Sequence, residues 1–153
     1  MSVVTLTLDD KDRLILRELR RDAGQKTTVL AKRLNLPRTT LHERIVRLQK
    51  EGIIRKTTVL LDHAKLGRGV TAFIFVGFTS GGDVDQRTLA QKIAEFAEVM
   101  EVFVVSGEWD ILLKVRGESL ESVGKLIVDK LRSMPGVART MTATSFETIK
   151  EEP

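Results

Sequence analysis

The stretch at residues 27–48, TTVLAKRLNLPRTTLHERIVRL, constrains this chain more than any other. Leu30 and Ala31 with Leu34, and Leu41 with Ile45 and Leu48, recur at helical spacing, which predicts two short helices with one apolar stripe each. Asn35 between them tolerates the left-handed conformation that ends a helix. Pro37 suits the first turn of the next helix, where its missing N–H is not needed. Two short helices joined by a tight turn, the second basic on its wet face, make a helix-turn-helix. Such a module lays its second helix in the major groove of duplex DNA.

Placing Leu41, Ile45 and Leu48 inward turns Thr39, Glu43, Val46 and Lys50 outward, flanked by Thr40, His42 and Arg47, with Arg38 at the N-terminal end. Early residues of a recognition helix reach base edges, so Arg38, Thr39, Thr40, His42 and Glu43 are the expected base readers. Arg44, Arg47 and Lys50 are expected to meet the phosphate backbone. Thr27 or Thr28 is the expected cap of the preceding helix, and both join the DNA-facing set. The alternative is an ordinary surface helix of a small bundle, since a charged wet face is common.

Charge distribution favours the nucleic-acid reading. Residues 1–69 hold 16 Lys plus Arg against 8 Asp plus Glu, whereas residues 70–153 hold 9 against 13. The N-terminal part is therefore basic and the remainder acidic, as expected of one DNA-binding half and one half with another task. No cysteine is present, which excludes disulfides and thiolate metal sites, and His42 and His63 lack metal-ligand spacing. The longest apolar run, near residues 72–78, is too short to cross a bilayer, and the N-terminus lacks a secretory pattern, so a soluble cytoplasmic protein is expected.

Upstream, residues 8–22 read as a first helix with Asp9 as N-cap, Asp10 and Asp12 in the first turn, and Ile15, Leu16 and Leu19 inward. Gly52 ends the recognition helix, and residues 53–61 read as an extended segment, either a small wing or a linking strand. One helical turn at residues 62–67 leads to a Gly-Arg-Gly joint. The expected division is 1–56 for DNA binding, 57–69 for linking strand and hinge, and 70–153 for a second domain.

From Val70 the pattern changes to strands. Residues 70–79 are apolar on both faces, a turn is expected at residues 80–83, and a helix to about Phe96 buries Leu89, Ile93 and Phe96. A strand at 101–105, a turn at 107–110 and a strand at 111–116 form a hairpin. Ser119 then caps a helix with Leu120, Val123, Ile127 and Leu131 inward, and residues 137–149 form the last strand, with Thr140, Thr142 and Thr144 on one face. The order β-α-β-β-α-β is ferredoxin-like, and the fold class is α+β. Two helices cover one sheet face, so a second copy is the economical cover for the other and at least a homodimer is expected.

A helix-turn-helix, a linking strand and a β-α-β-β-α-β domain in this order resemble the leucine-responsive, or Lrp/AsnC, family of prokaryotic transcription regulators. The pieces that carry the resemblance are LNLPRTTLHERIVRLQKEGII at 34–54, Leu61-Asp62 with Leu66-Gly67, VSGEWDI at 105–111, and MPGV at 134–137. The resemblance implies dimerisation through the sheets, often further assembly into octamers, and an amino-acid effector bound near the hairpin turn. It thereby points to Gly107, Glu108, Trp109 and Asp110. There Gly107 would admit the ligand's backbone-like end and Asp110 would accept hydrogen bonds from its ammonium group, with Thr140 and Thr142 as contacts from a second subunit. Two positions depart from the family pattern: Pro37 stands where many members carry Ser, and Trp109 is larger than the residue expected there. The turn could also be only a hairpin connection with Trp109 packed at an interface.

The sequence thus supports a DNA-binding transcription regulator, dimeric or larger, modulated by an amino acid or related metabolite. The competing reading is an architectural protein that wraps DNA with little sequence preference. Catalysis is the least supported, because no nucleophile, histidine partner or phosphate-binding loop accompanies the two carboxylates of the turn. No cofactor, metal or membrane partner is expected.

Overall fold

In the computed structural model, residues 7–80 and 84–151 are described; the expected turn at 80–83 lies largely outside them. The chain divides between Leu60 and Leu61 into two compact units.

The N-terminal unit contains α1 (Asp10–Arg21), α2 (Thr27–Arg33) and α3 (Arg38–Lys50). Asp9 caps α1 in a reciprocal capping box, its carboxylate accepting from the Asp12 N–H while the Asp12 carboxylate accepts from the Asp9 N–H. Asn35 is left-handed at φ 50°, which turns the chain sharply enough for the Leu36 N–H to return to the Ala31 carbonyl at 3.0 Å. Ile15, Leu30, Ala31, Leu41 and Leu48 form the buried core, with Leu16, Leu19, Leu34 and Ile45 packed around it. After α3, Gly52 at φ 72° lets the N–H groups of Ile53 and Ile54 bond back to the Leu48 carbonyl, so both isoleucines close the core.

The start of α2 and the stretch after α3 differ from what the sequence predicts. The residue preceding α2 is Lys26, with no side-chain cap; Thr27 and Thr28 already have helical backbone and so cannot cap it. Residues 55–62 make no ladder, so the expected linking strand is an unpaired stretch in the single chain, with Val59, Leu60 and Leu61 exposed. A strand needs a neighbour to hydrogen-bond, and this stretch has none among the described residues.

The C-terminal unit holds β1 (Val70–Phe78), α4 (Gln86–Ile93), β2 (Val99–Val104), β3 (Ile111–Gly117), α5 (Leu120–Lys125), which continues as a π-helical segment Leu126–Leu131, and β4 (Val137–Thr144). The antiparallel sheet has the order β2-β3-β1-β4, the ferredoxin-like arrangement. Asp85 caps α4, and Ser119 caps α5 in a second capping box. Ala72, Ile74, Val76, Ile111, Leu113 and Val115 turn one sheet face onto Leu89, Ile93, Val123, Leu126, Ile127 and Leu131. Leu120, expected inward, is 64% exposed, because at the first helical position it precedes the buried stripe. The last strand ends at Thr144 rather than near Ile149, and Ser145 makes a final bond to the Thr71 carbonyl.

The opposite sheet face carries Phe73, Phe75, Phe103, Leu112 and Met141, since cross-strand partners share a face and Phe75 stands between Leu112 and Met141. Phe73, Phe103 and Met141 are 36%, 45% and 43% exposed, so in the single chain this face is apolar and open. Glu151 returns to its margin and pairs with Lys114 at 2.6 Å and with Arg116 at 2.6 Å.

Candidate DNA interface and effector turn

The polar residues of α3 fall into two groups. Arg38, Thr39, His42, Glu43 and Lys50 are exposed, and none has an ion pair or side-chain hydrogen bond among the described residues. Thr40 and Val46 are half-buried at the flanks. Thr28 on α2 is exposed, beside Val29, Lys32 and Arg33 on a shallow concavity, while Thr27 is half-buried.

Arg44 and Arg47 belong to the other group. Arg44 Nη1 lies 2.6 Å from Asp9 Oδ2 and 2.8 Å from Asp12 Oδ1, and an Arg47 Nη2 donates to Asp12 Oδ2. Asp12 is fully buried and the Arg44 side chain is 22% exposed. The Asp9 carboxyl is held below its ordinary range by the Asp12 N–H and by Arg44, and Arg44 is correspondingly pushed up by Asp9 and Asp12. Expected at the phosphate backbone, Arg44 instead spans α1 and α3, because the two carboxylates of the α1 capping box lie within its reach. Arg47 is shared between this cluster and solvent. Sequence reading noted Asp9 and Asp12 only as first-turn acids; their partners stand 32–35 residues away.

In the C-terminal unit the turn 107–110 joins β2 to β3. Gly107 has φ 126°, a conformation that glycine adopts without strain, and no atom would meet a Cβ there. Trp109 packs against Phe75 with ring centroids 6.1 Å apart, and the Arg139 guanidinium lies over its ring at 4.3 Å. Arg139 also donates to the Glu108 carbonyl at 3.0 Å. A Cβ at Gly77 would stand 2.8 Å from Arg139 Cγ, so glycine there makes room for the arginine. Sequence reading missed Arg139. Its visible signal is the small residue facing a long cation across the β1/β4 pair.

Asp110 is partly committed to the fold. Its Oδ2 accepts the Phe78 N–H at 2.8 Å, where the β1/β4 register shifts between Gly77 and Phe78, and its carbonyl accepts from Gln86 Nε2 at 2.9 Å. Oδ1 has no hydrogen-bond partner among the described residues. Thr140 and Thr142 are not brought to the turn's side. They register with Val76 and Ile74 on the helix-bearing face, where Arg132 Nε donates to Thr140 Oγ1, whereas Trp109 and Arg139 pack on the open face with Phe75. No group of His, Asp and Glu among the described residues is arranged to hold a metal, and no helix among them is long and apolar enough to cross a membrane.

Comparison with known proteins agrees with this architecture. Residues 8–55 match the winged helix-turn-helix DNA-binding model, and residues 71–153 match the Lrp/AsnC ligand binding domain. An HTH-type transcriptional regulator of Pyrococcus furiosus is 46% identical over 145 residues, covering 95% of this chain and 97% of the relative. The HTH-type transcriptional regulator FL11 of Pyrococcus abyssi is 32% identical, covering 95% of this chain and 94% of its own. The crystal structure of a Neisseria meningitidis transcriptional regulator in complex with L-Met superposes with a TM-score of 0.89 at 27% identity, covering 95% of this chain and 94% of that one. An AsnC family regulator from Agrobacterium tumefaciens superposes at 0.87 with 28% identity, over 95% and 94% of the two chains. With both units matched and nearly half its residues shared with a Pyrococcus regulator, the chain belongs to the Lrp/AsnC family of HTH-type transcriptional regulators, which are not enzymes.

Proposed function

We propose that two copies of this chain read a palindromic DNA site with α3 and that an amino acid bound near residues 107–110 adjusts their assembly. The observation that carries the DNA half is the division within α3: Arg38, Thr39, His42 and Glu43 stand exposed without partners among the described residues, at the helix end that enters the groove. Arg38 suits guanine, and Glu43 suits the amino group of cytosine. Thr28 and Lys50 lie at the flanks, where they serve phosphate contacts.

Dimerisation is supported by the open face of Phe73, Phe103 and Met141, which a second sheet would cover. Pairing doubles the DNA-reading helices and raises the local concentration of the second head. For the effector, Asp110 Oδ1 offers an acceptor to an ammonium group and Arg139 a cation to a carboxylate, with Trp109, stacked under Arg139, as an apolar wall. The L-Met complex of the Neisseria regulator supports the amino-acid class.

Selection of bound fragments from a random duplex pool, with assembly size recorded in parallel, tests this reading. An enriched palindrome with half-sites one helical turn apart is expected. Tight, salt-sensitive binding without enrichment would favour the architectural reading. Titrating each of the twenty amino acids while recording size and site affinity tests the effector; no change with any of them removes that half of the proposal.

A further inference from the structure

We infer that Asp12 is a positioning residue for DNA binding: it draws Arg44, and Arg47 in part, away from the phosphates and uses them to fix α3 against α1. This rests on the reading of α3 as the DNA-reading helix.

Asp12 sits fully buried, and a buried carboxylate is tolerated only when cations or hydrogen bonds satisfy it. Both its oxygens are met. Oδ1 takes Arg44, and Oδ2 takes Arg47 together with the Asp9 N–H at 3.3 Å. Arg44 reaches Asp9 as well, so two guanidiniums face two carboxylates and the cluster is electrically neutral. A phosphate drawn to Arg44 would compete with two carboxylates already seated on its Nη1 at 2.6 and 2.8 Å.

Position on the helix gives the cluster its use. Arg44 and Arg47 lie one turn apart, between the buried stripe of Leu41 and Leu48 and the outward face of Arg38, Thr39, His42 and Glu43. Pinning both to α1 fixes the rotation of α3 about its own axis, and that rotation decides which outward side chains meet base edges. The apolar core alone specifies rotation less sharply, because a stripe of aliphatic residues accepts small turns, whereas a guanidinium held between carboxylates is directional. Releasing the arginines would add attraction blind to sequence while loosening the residues that read it.

The test measures affinity of the full chain for its enriched site and for a scrambled duplex of equal length across a salt series. Each phosphate contact contributes about 0.9 to the slope of log affinity against log salt. Wild-type protein with no salt-dependent binding to either duplex would sink the reading of α3 itself. Given wild-type binding, Arg44→Gln is expected to weaken the specific site with its slope unchanged. A slope flattened by about 0.9 per protomer would make Arg44 a phosphate ligand and overturn the inference. Asp12→Asn is expected to steepen the slope by up to about 1.8 per protomer, two guanidiniums at about 0.9 each, and to lower the ratio of specific to scrambled affinity. An unchanged slope and ratio, with α3 amides still protected from exchange, would contradict it. If Asp12→Asn does not fold, Arg44→Gln decides alone, since it leaves Asp12 its partner Arg47.

Discussion

Among the described residues, five apolar side chains form the buried core of the N-terminal unit, and a carboxylate lies fully buried at its edge, tied to two arginines of α3. Thirteen form the core of the C-terminal unit, and there Glu98 pairs with Lys130 and Glu151 with Lys114 and the buried Arg116, while no carboxylate among its described residues is fully buried. A small helical unit buries too little apolar surface to place its helices by packing alone, so directional polar contacts complete the task. A sheet with two helices across it has area to spare on one face and leaves the other open for a second copy. One half is built to hold a helix at a set angle, and the other to be covered.

Core truncation should separate the halves most strongly. Leu41→Ala and Leu113→Ala should each cost about 2–5 kcal/mol, but only the first should exhaust the stability of its unit. Amide exchange by segment reads this: protection should vanish from α1 to α3 in Leu41→Ala and persist in the sheet of Leu113→Ala. Retained protection in α3 would show that the small core has more reserve than its size implies.

Charge on the open face comes next. Phe103→Glu should leave the fold intact by circular dichroism, give a monomer by sedimentation, and weaken the palindromic site about 100-fold through loss of the second head. A variant that stays dimeric would remove the sheet from the assembly.

Helix caps give a smaller contrast. Asp9→Ala removes a capping box and one partner of Arg44, so it should lower stability more than Ser119→Ala, which removes only a capping box and should cost about 1 kcal/mol. Thermal melts that rank the two the other way would argue against the cluster at α1.

The smallest effect is expected in alkali. Lys114 has its pKa raised above the ordinary 10.5 by Glu151, so the pair stabilises the fold fully below that value and is lost as pH rises through the raised one. Arg44 stays charged throughout this range. Unfolding followed above pH 10.5 should therefore weaken the C-terminal unit before the N-terminal one. In acid the two units do not separate. Asp9 and Glu18 in one, and Asp85, Glu98 and Glu151 in the other, all have depressed pKa values and lose their contributions as pH falls through them.

What could be read from the sequence was local. Asn35, Ser119 and Asp9 each act within three residues of themselves, and all three turned out where their chemistry places them. The two faces of β1 also followed from alternation, since Phe73 and Phe75 stand opposite in sense to Ile74 and Val76, and the ferredoxin-like sheet followed from the β-α-β-β-α-β order of elements. The long-range polar contacts were hidden. A helical wheel shows Arg44 and Arg47 as wet-face cations, and nothing within α3 reveals that Asp9 and Asp12 come to meet them. Asp110 looked like a turn carboxylate free for a ligand, but the register shift at Gly77 and Phe78 leaves an N–H that one of its oxygens takes. Thr27 and Thr28 read as caps because their residue type favours that position, yet the helix already begins at Thr27 and the cap position falls on Lys26.

The most direct test of the account is a hydroxyl-radical footprint of the full chain on the palindrome that selection enriches, with binding stoichiometry measured on the same duplex. Two chains per site are expected, protecting two patches about one helical turn apart, as paired α3 helices require. One chain per site, or continuous protection that ignores the palindrome, would contradict it.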